Sequence, residues 1–421
     1  MWKSILKTAT FRQSQITILG TVINGALGFL FYIVLARFLG PSDFGLLTVS
    51  LASLVLIADI ADIGTNTGLV RFVSLNLAVD SEKAYRFLKL SLEIKLIAWL
   101  ISFFVIFYLS PLLATQVFHK EELILPLRLV AFGAGAALLF TFATSMLQAY
   151  QKYFLWSVVN VLTNLLRLVL ILVLGYFLAL NVESSLAVYI ILPLFGFAIT
   201  LLIVPARKIF ASRNEFSLSK VLLQYNIPVA IFTIISAFSA RLDTFLNAAL
   251  LSSREVGIYG AASQLAQVVP QLVAALGLVA APKFAGFQSL NQMLTYFKKF
   301  QLLISGLCLL GILSIPLLVY LIPIIYGQGY QGAVIPFIFL FLAMLVFLFS
   351  VPVHISVIFY FARPDIFIWI SIGHLLIIGG LGYLLISNYG IVGASITVLI
   401  GTIFNFLYPF IWFLKKIYEK S

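Results

Sequence analysis

Two arginines and three aspartates sit inside stretches otherwise built from aliphatic and aromatic residues. Arg167 and Arg241 lie mid-run, as do Asp59, Asp62 and Asp243. On insertion scales an ionisable side chain at membrane depth costs about 2.5–3.5 kcal/mol, so each needs a partner or water. A buried guanidinium attracts anions, and a carboxylate opposite it forms a bistable ion pair that can act as a gate. Residues three or four apart share one face of a helix, which sorts the polar groups into four stripes. These are Asp59, Asp62 and Asn66; Asn160, Asn164 and Arg167; Ser236, Ser239, Asp243 and Asn247, with Arg241 on a different face; and Gln264, Gln267 and Gln271. Four stripes on separate helices point to one wet cavity.

Each feature also has a purely structural explanation. Gln, Asn and Ser bond between packed membrane helices, contributing about 0.6–2 kcal/mol each. Arg167 and Arg241 can form buried ion pairs with Asp59, Asp62 or Asp243. Glu93 and Lys95 fall near a helix end, where the default is snorkelling to the interface, and Arg128 sits a turn inside the other interface. His354 and His374 read first as helix–helix hydrogen-bonding groups, although imidazole titrates near neutral pH. Pro193, Pro270, Pro316, Pro323 and Pro352 each remove a backbone donor and tend to kink a span.

The elements that must position these groups are transmembrane helices. The chain has 421 residues, is 62% hydrophobic and only 10% charged. About 20 apolar residues cross the hydrocarbon core, and a helix satisfies its own backbone hydrogen bonds there. Twelve spans are predicted near 15–38, 43–66, 87–110, 124–150, 153–180, 186–206, 228–251, 256–282, 300–325, 331–360, 364–387 and 390–414. The first is too long for a signal-peptide core and is expected to be retained. With the N-terminus inside, only three of the 26 Lys and Arg residues (Arg37, Lys120 and Arg254) fall in external loops. Positive residues kept on the cytoplasmic side set orientation, placing both termini in the cytoplasm. The same distribution turns the net charge of +12 toward topology and anionic lipid rather than nucleic acid. Cys308 is the single cysteine, so neither an intrachain disulfide nor a cysteine metal framework is expected.

The chain repeats itself. Asp43-Phe44-Gly45-Leu46-Leu47 follows the first span as Glu255-Val256-Gly257-Ile258-Tyr259 follows the seventh, 212 residues later. Pro126 and Tyr150 bracket the fourth span as Pro336 and Tyr360 bracket the tenth. The expected fold class is all-α integral membrane: two six-helix lobes related by a pseudo-two-fold along the membrane normal, with a substrate path between them. The expected domains are an N-terminal lobe over 1–206, a cytoplasmic linker over 207–227 and a C-terminal lobe over 228–421. Within the linker Ser217–Asn226 reads as a short interfacial amphipathic helix.

Several motifs carry a resemblance. Leu35-Ala36-Arg37-Phe38-Leu39-Gly40-Pro41-Ser42-Asp43-Phe44-Gly45-Leu46 resembles the opening signature of the polysaccharide transporters, the Wzx-like oligosaccharide flippases of the multidrug/oligosaccharidyl-lipid/polysaccharide exporter superfamily. Asp62-Ile63-Gly64-Thr65-Asn66 with Arg71-Phe72, Arg241-Leu242-Asp243 with Val256-Gly257-Ile258-Tyr259-Gly260-Ala261-Ala262, Tyr326-Gly327 with Tyr330, and Gly390-Ile391-Val392-Gly393-Ala394 follow in order along the chain. The resemblance implies a carrier rather than an enzyme, in a bacterial cytoplasmic membrane. Its cargo would be a short oligosaccharide on a polyprenyl pyrophosphate, moved from the inner to the outer leaflet by alternating access. Polymerases or glycosyltransferases of the same pathway are the partners it implies. On this reading Arg241 and Arg167 attract the head group. Asn66, Asn160, Asn164, Gln264, Gln267 and Gln271 line the cavity, and Asp59, Asp62 and Asp243 gate it or couple it to an ion.

The chain departs from peptidoglycan-precursor flippases in having twelve spans rather than fourteen. Its first span offers only Asn24 before Arg37, with no basic cluster to grip phosphate. An ion-coupled multidrug or small-molecule exporter of the same superfamily is the nearest alternative. A membrane glycan polymerase or ligase would need a sizeable external loop, which the spacing leaves no room for. No Gly-rich run ends in Lys-Ser/Thr, so no nucleotide-binding loop is predicted and no cofactor is expected.

Overall fold

The computed structural model describes residues 9–213 and 215–419, and every regular element among them is helical. Both chain ends, and with them the sidedness of the termini, lie outside the described residues. The helices are α1 (Ala9–Asp62), α2 (Thr65–Asn76), α3 (Ser81–Leu112), α4 (Ile124–Ala149), α5 (Tyr153–Tyr176), α6 (Val182–Ile203), α7 (Ala206–Ala211), α8 (Phe216–Ser239), α9 (Leu242–Leu250), α10 (Ser253–Ala266), α11 (Val268–Ala285), α12 (Leu290–Tyr326), α13 (Val334–Ile355), α14 (Ile366–Leu376) and α15 (Gly382–Tyr418).

Among the described residues nine helical stretches are long and apolar enough to cross a membrane, and a bent pair over 253–285 brings this to ten. Two of the ten are double. α1 is interrupted at Gly40 (φ 73°, ψ 172°) and α15 at Gly390 (φ 59°, ψ −140°), left-handed backbone that glycine adopts without a Cβ clash. Divided at those glycines, the chain is an all-α protein of twelve membrane spans.

The helices fall into two compact units. The first comprises the chain up to Leu39 together with Leu46–Ala237; the second comprises Gly40–Gly45 and Phe238 onward. In the first unit a core gathers Leu69 and Val73 of α2, Phe87 and Leu88 of α3, Phe142 and Met146 of α4, and Leu218 and Leu222 of α8. That core explains one difference from expectation. Residues 217–226 do not form a separate interfacial helix but the opening turns of α8, because Leu218, Leu222 and Asn226 are buried in the unit. The connector ahead of α8 is tied to α3: Arg86 Nη1 donates to Glu215 at 2.7 Å, and Lys89 Nζ donates to the Ser212 carbonyl at 2.8 Å. The Ser217 hydroxyl, and then Arg86, hold the Glu215 carboxyl below its usual range. This clamp is therefore intact at neutral pH and lost as the pH falls through the depressed carboxyl value.

In the second unit the chain breaks twice without glycine. The seventh span is interrupted at Ala240-Arg241, where Arg241 (φ −127°, ψ −3°) precedes α9. The eighth is interrupted at Gln267, between α10 and α11. Pro270 accounts for the second break, because it cannot donate to the Ala266 carbonyl four residues back and its ring would clash there. Placed in the first turn of α11, it costs that helix nothing. α10 begins with a capping box: the Ser252 hydroxyl accepts from Glu255 N–H, and the Glu255 carboxylate accepts from Ser252 N–H at 3.0 Å. Such reciprocal bonding satisfies two otherwise orphaned donors.

The repeat surfaces as a physical contact inside the second unit. A Cβ on Gly45 would lie 1.9 Å from the Ser253 carbonyl oxygen, and one on Gly257 would lie 1.8 Å from the Pro41 carbonyl oxygen. Pro41 relates to Ser253, and Gly45 to Gly257, by the same 212-residue offset, so the contact is reciprocal in the manner of an isologous interface. Pro41 also packs against Gly329, and the Phe44 ring meets Tyr330 edge-on at 6.2 Å.

Candidate functional site

The sequence-predicted polar groups assemble into three clusters, two in the first unit and one in the second. The first unit's carboxylate cluster forms where α1 ends. Asp62 accepts from Lys95 Nζ of α3, from the Thr65 hydroxyl at 3.0 Å and from the Asn66 backbone N–H at 3.3 Å. The left-handed pair Ile63 and Gly64 (φ 48° and 67°) turns the chain back so that Thr65 and Asn66 reach that carboxylate. Lys95 is fully buried and the Asp62 side chain is 13% exposed. Lys95 therefore does not snorkel, as its position near a helix end suggested; the Asp62 carboxylate draws it inward instead. The Asn66 side-chain oxygen accepts from Ser145 of α4 at 3.0 Å. Asp59, half-buried, lies one turn earlier on α1.

The second cluster is built around Arg167 on α5. Its Nη1 donates to Asn164 Oδ1 at 2.9 Å and its Nη2 to the Tyr189 carbonyl of α6 at 3.3 Å, while the guanidinium lies 4.1 Å above the Tyr189 ring. Asn164 Nδ2 in turn donates to Asn24 Oδ1 of α1 at 2.5 Å. Phe31 supports the Tyr189 ring at 6.0 Å. Arg167 Nε is buried with no acceptor, and among the described residues no carboxylate pairs with this guanidinium. The ion pair with Asp59, Asp62 or Asp243 is thus not what holds Arg167; neutral oxygens and a π face do. Such groups stabilise the cation only in part, and the remaining charge favours an anion. Asn160, a turn away, donates to the Trp156 carbonyl of its own helix at 2.8 Å and does not join the network.

In the second unit, the Asp243 carboxylate accepts from the Tyr259 hydroxyl of α10, and the Ser239 hydroxyl and His374 Nδ1 share a 2.6 Å hydrogen bond. Asp243, Ser239 and His374 line a cavity of about 250 Å³ together with Thr244, Gln267 and Asn405. Of the glutamine stripe only Gln267 lines it. Gln264 lies on α10 and Gln271 on α11, on either side of Gln267, whose own backbone stays in the right-handed helical region (φ −65°, ψ −6°). Arg241 is half-buried at the break before α9. Asn247 is fully buried, and neither end of its amide has a hydrogen-bond partner. His354 bonds the Asn405 carbonyl at 3.1 Å, so both intramembrane histidines are helix–helix bonding groups. Arg128 lies 5.1 Å over the Phe107 ring.

Sequence reasoning missed the partners more than the charges. Tyr189, Lys95 and Tyr259 are ordinary residues in apolar runs, and only the antiparallel hairpin of α5 and α6 brings Tyr189 to Arg167.

The family model described as "Polysaccharide biosynthesis protein" matches residues 11–288. The chain belongs to this family. Comparison with curated protein sequences finds no match. Among solved structures, the lipid II flippase MurJ in an inward closed conformation superposes with a TM-score of 0.75 at 14% identity, covering 94% of this chain and 86% of that one. A MATE family multidrug resistance transporter of the MOP superfamily, in an inward-facing conformation, gives 0.70 at 16% identity, covering 94% and 95%. An outward-facing MATE transporter gives 0.63 at 17%, covering 98% and 97%. At such identities the likeness is one of fold: the twelve-helix, two-lobed architecture. This member of the polysaccharide biosynthesis family is a multi-pass membrane protein with a transporter's fold.

Proposed function

We propose that the protein is a flippase carrying a polyprenyl-pyrophosphate-linked oligosaccharide from the inner to the outer leaflet for cell-surface polysaccharide synthesis. It would act by alternating access of lobes spanning 1–206 and 228–421, in a bacterial cytoplasmic membrane with both termini inside. The observation that carries this reading is the Arg167 guanidinium, held within a membrane span by neutral partners, with no carboxylate pairing it among the described residues. A pyrophosphate supplies the missing negative charge, and its oxygens match the guanidinium fork. Asn24 and Asn164 lie beside it with amide groups suited to sugar hydroxyls, and the lipid tail can remain in the bilayer. The family membership and the MurJ-like fold support the same class of cargo. Arg241, Asn66, Asn160, Gln264, Gln267 and Gln271 are further cavity residues on this reading, with Asp59, Asp62 and Asp243 as gating or coupling groups. Enzymes that build or polymerise the glycan would be its pathway partners.

In cells depleted of the protein, an impermeant glycan label should find the lipid-linked oligosaccharide trapped on the cytoplasmic leaflet. Wild type should restore external labelling, and Arg167→Ala at equal abundance should lower it at least tenfold. Unchanged sidedness on depletion would move the assignment to a small-molecule exporter, the reading that the carboxylate-lined cavity of the second unit favours.

A further inference from the structure

Arg128 on α4 carries a charge inside a span, and the transport reading gives it no task. It is half-buried, and its guanidinium lies 5.1 Å over the Phe107 ring of α3. Its Nε is buried with no acceptor, and among the described residues no carboxylate pairs with it. An aromatic ring offsets only part of the cost of holding a cation at membrane depth, so the guanidinium still wants an anion. The residues around it say which one. Residues 121–123 form a 3-10 turn that runs directly into α4. A 3-10 turn closes in three residues and an α-helical turn in 3.6, so Glu121, Leu125, Arg128 and Phe132 come up on one side. Leu125 and Phe132 are 52% and 53% exposed, which makes this an outward face of the first unit. Glu121 and Glu122 are exposed at its end. The neighbouring Lys120 is buried, and its Nζ donates to the Phe118 carbonyl at 3.0 Å. Deeper along the face, Phe132 meets Phe103 of α3 at 4.8 Å, beside the exposed Phe104.

We propose that this face binds one zwitterionic membrane phospholipid with a primary ammonium, of the phosphatidylethanolamine class. Going inward from the end of the span, the face presents a carboxylate, then a guanidinium, then aromatic surface. The lipid presents an ammonium, then a phosphate, then acyl chains, and the two sequences match in sign and order. Side chains on a helix lean toward its N-terminus, which carries the Arg128 fork toward Glu121 and narrows the gap that the short headgroup must bridge. The fork donates to the phosphate oxygens, the ammonium donates to the Glu121 carboxylate, and an acyl chain lies along Phe132 and Phe104. A phospholipid without the ammonium would set its phosphate beside Glu121 with nothing between the two negative charges, so the carboxylate selects against it. The site is independent of the transport reading and is measurable without any cargo.

The delipidated full chain in detergent, mixed with phosphatidylethanolamine or with phosphatidylglycerol of the same acyl chains, is read by native mass spectrometry. Wild type should retain one phosphatidylethanolamine at a concentration about tenfold below the one phosphatidylglycerol requires. Arg128→Gln should weaken retention of both lipids by about tenfold or more, the scale of losing a hydrogen bond to a charged group. Glu121→Gln, at an exposed position, should instead erase the preference while phosphatidylglycerol stays bound. That variant keeps the proposal testable if Arg128→Gln does not fold. Equal retention of the two lipids by wild type, or a preference indifferent to Glu121→Gln, overturns the proposal. So does a dimer forming in place of the lipid adduct, which would make the face an interface between two copies of the chain. Displacement of the phospholipid by an equal amount of polyprenyl phosphate also overturns it and would make the face a cargo site.

Discussion

Gly257→Ala is expected to cut the yield of folded protein severely and lower the thermal midpoint of what remains, and Gly45→Ala should do the same. At each position the new methyl would lie under 2 Å from a backbone carbonyl oxygen, Pro41 for one and Ser253 for the other. A flexible side chain could rotate away; a carbonyl inside a capped helix cannot. Overpacking in a close-packed interior costs about 1–3 kcal/mol and occasionally more, and backbone against backbone belongs at the upper end. Gly306→Ala is the control. It lies inside α12 with nothing within 4 Å of its Cβ position, so alanine there should be neutral or slightly stabilising through helix propensity. Thermal unfolding of purified variants in one detergent checks the ranking. Equal midpoints for Gly257→Ala and Gly306→Ala would contradict the close approach.

The second large effect concerns the Asp62–Lys95 pair. Lys95→Met leaves the Asp62 carboxylate buried with only the Thr65 hydroxyl and the Asn66 N–H to balance it. Removing one member of a buried ion pair costs about 3–5 kcal/mol, whereas replacing both with apolar residues is often neutral. Lys95→Met and Asp62→Leu should therefore each destabilise the protein strongly, and the double variant should recover most of the loss. A thermodynamic cycle on the four proteins measures the coupling. Additive losses would mean that the two charges are solvated independently. If the double variant is stable but no longer transports, the pair serves the transport cycle as well as the fold.

Much of this architecture was legible in the chain because membrane physics leaves few options. Apolar runs of sufficient length must be helices, and the repeated Asp-Phe-Gly and Glu-Val-Gly segments announced an internal symmetry that appears as the Gly45–Gly257 contact. Gly40 and Gly390 stand in two of the family-like motifs, and they are the points where two long helices divide. The breaks at Ala240-Arg241 and Gln267 were harder to see. The first carries no glycine or proline, and the second depends on a proline three residues downstream. A polar stripe read on an ideal helix therefore joined Ser239 to Asp243 across a point where the helix stops. Charges were read well and their partners poorly, because partnership depends on which helices pack. Lys95 near a helix end looked like a snorkelling residue until α1 and α3 brought Asp62 beside it. Among the described residues Arg167 has no carboxylate partner for the same reason: the helices beside α5 present Asn24 and Tyr189.

On the proposed function, Arg167 holds the phosphate of a lipid-linked sugar. The most direct measurement is translocation of a fluorescent, short-chain polyprenyl-pyrophosphate oligosaccharide in vesicles containing only the purified protein, read by quenching of the outward-facing label. Wild type should flip the substrate, Arg167→Lys should flip it more slowly because a point charge replaces the planar fork, and Arg167→Ala should fall to the rate of protein-free vesicles. Flipping by Arg167→Ala at the wild-type rate, with the protein equally folded and inserted, would contradict it.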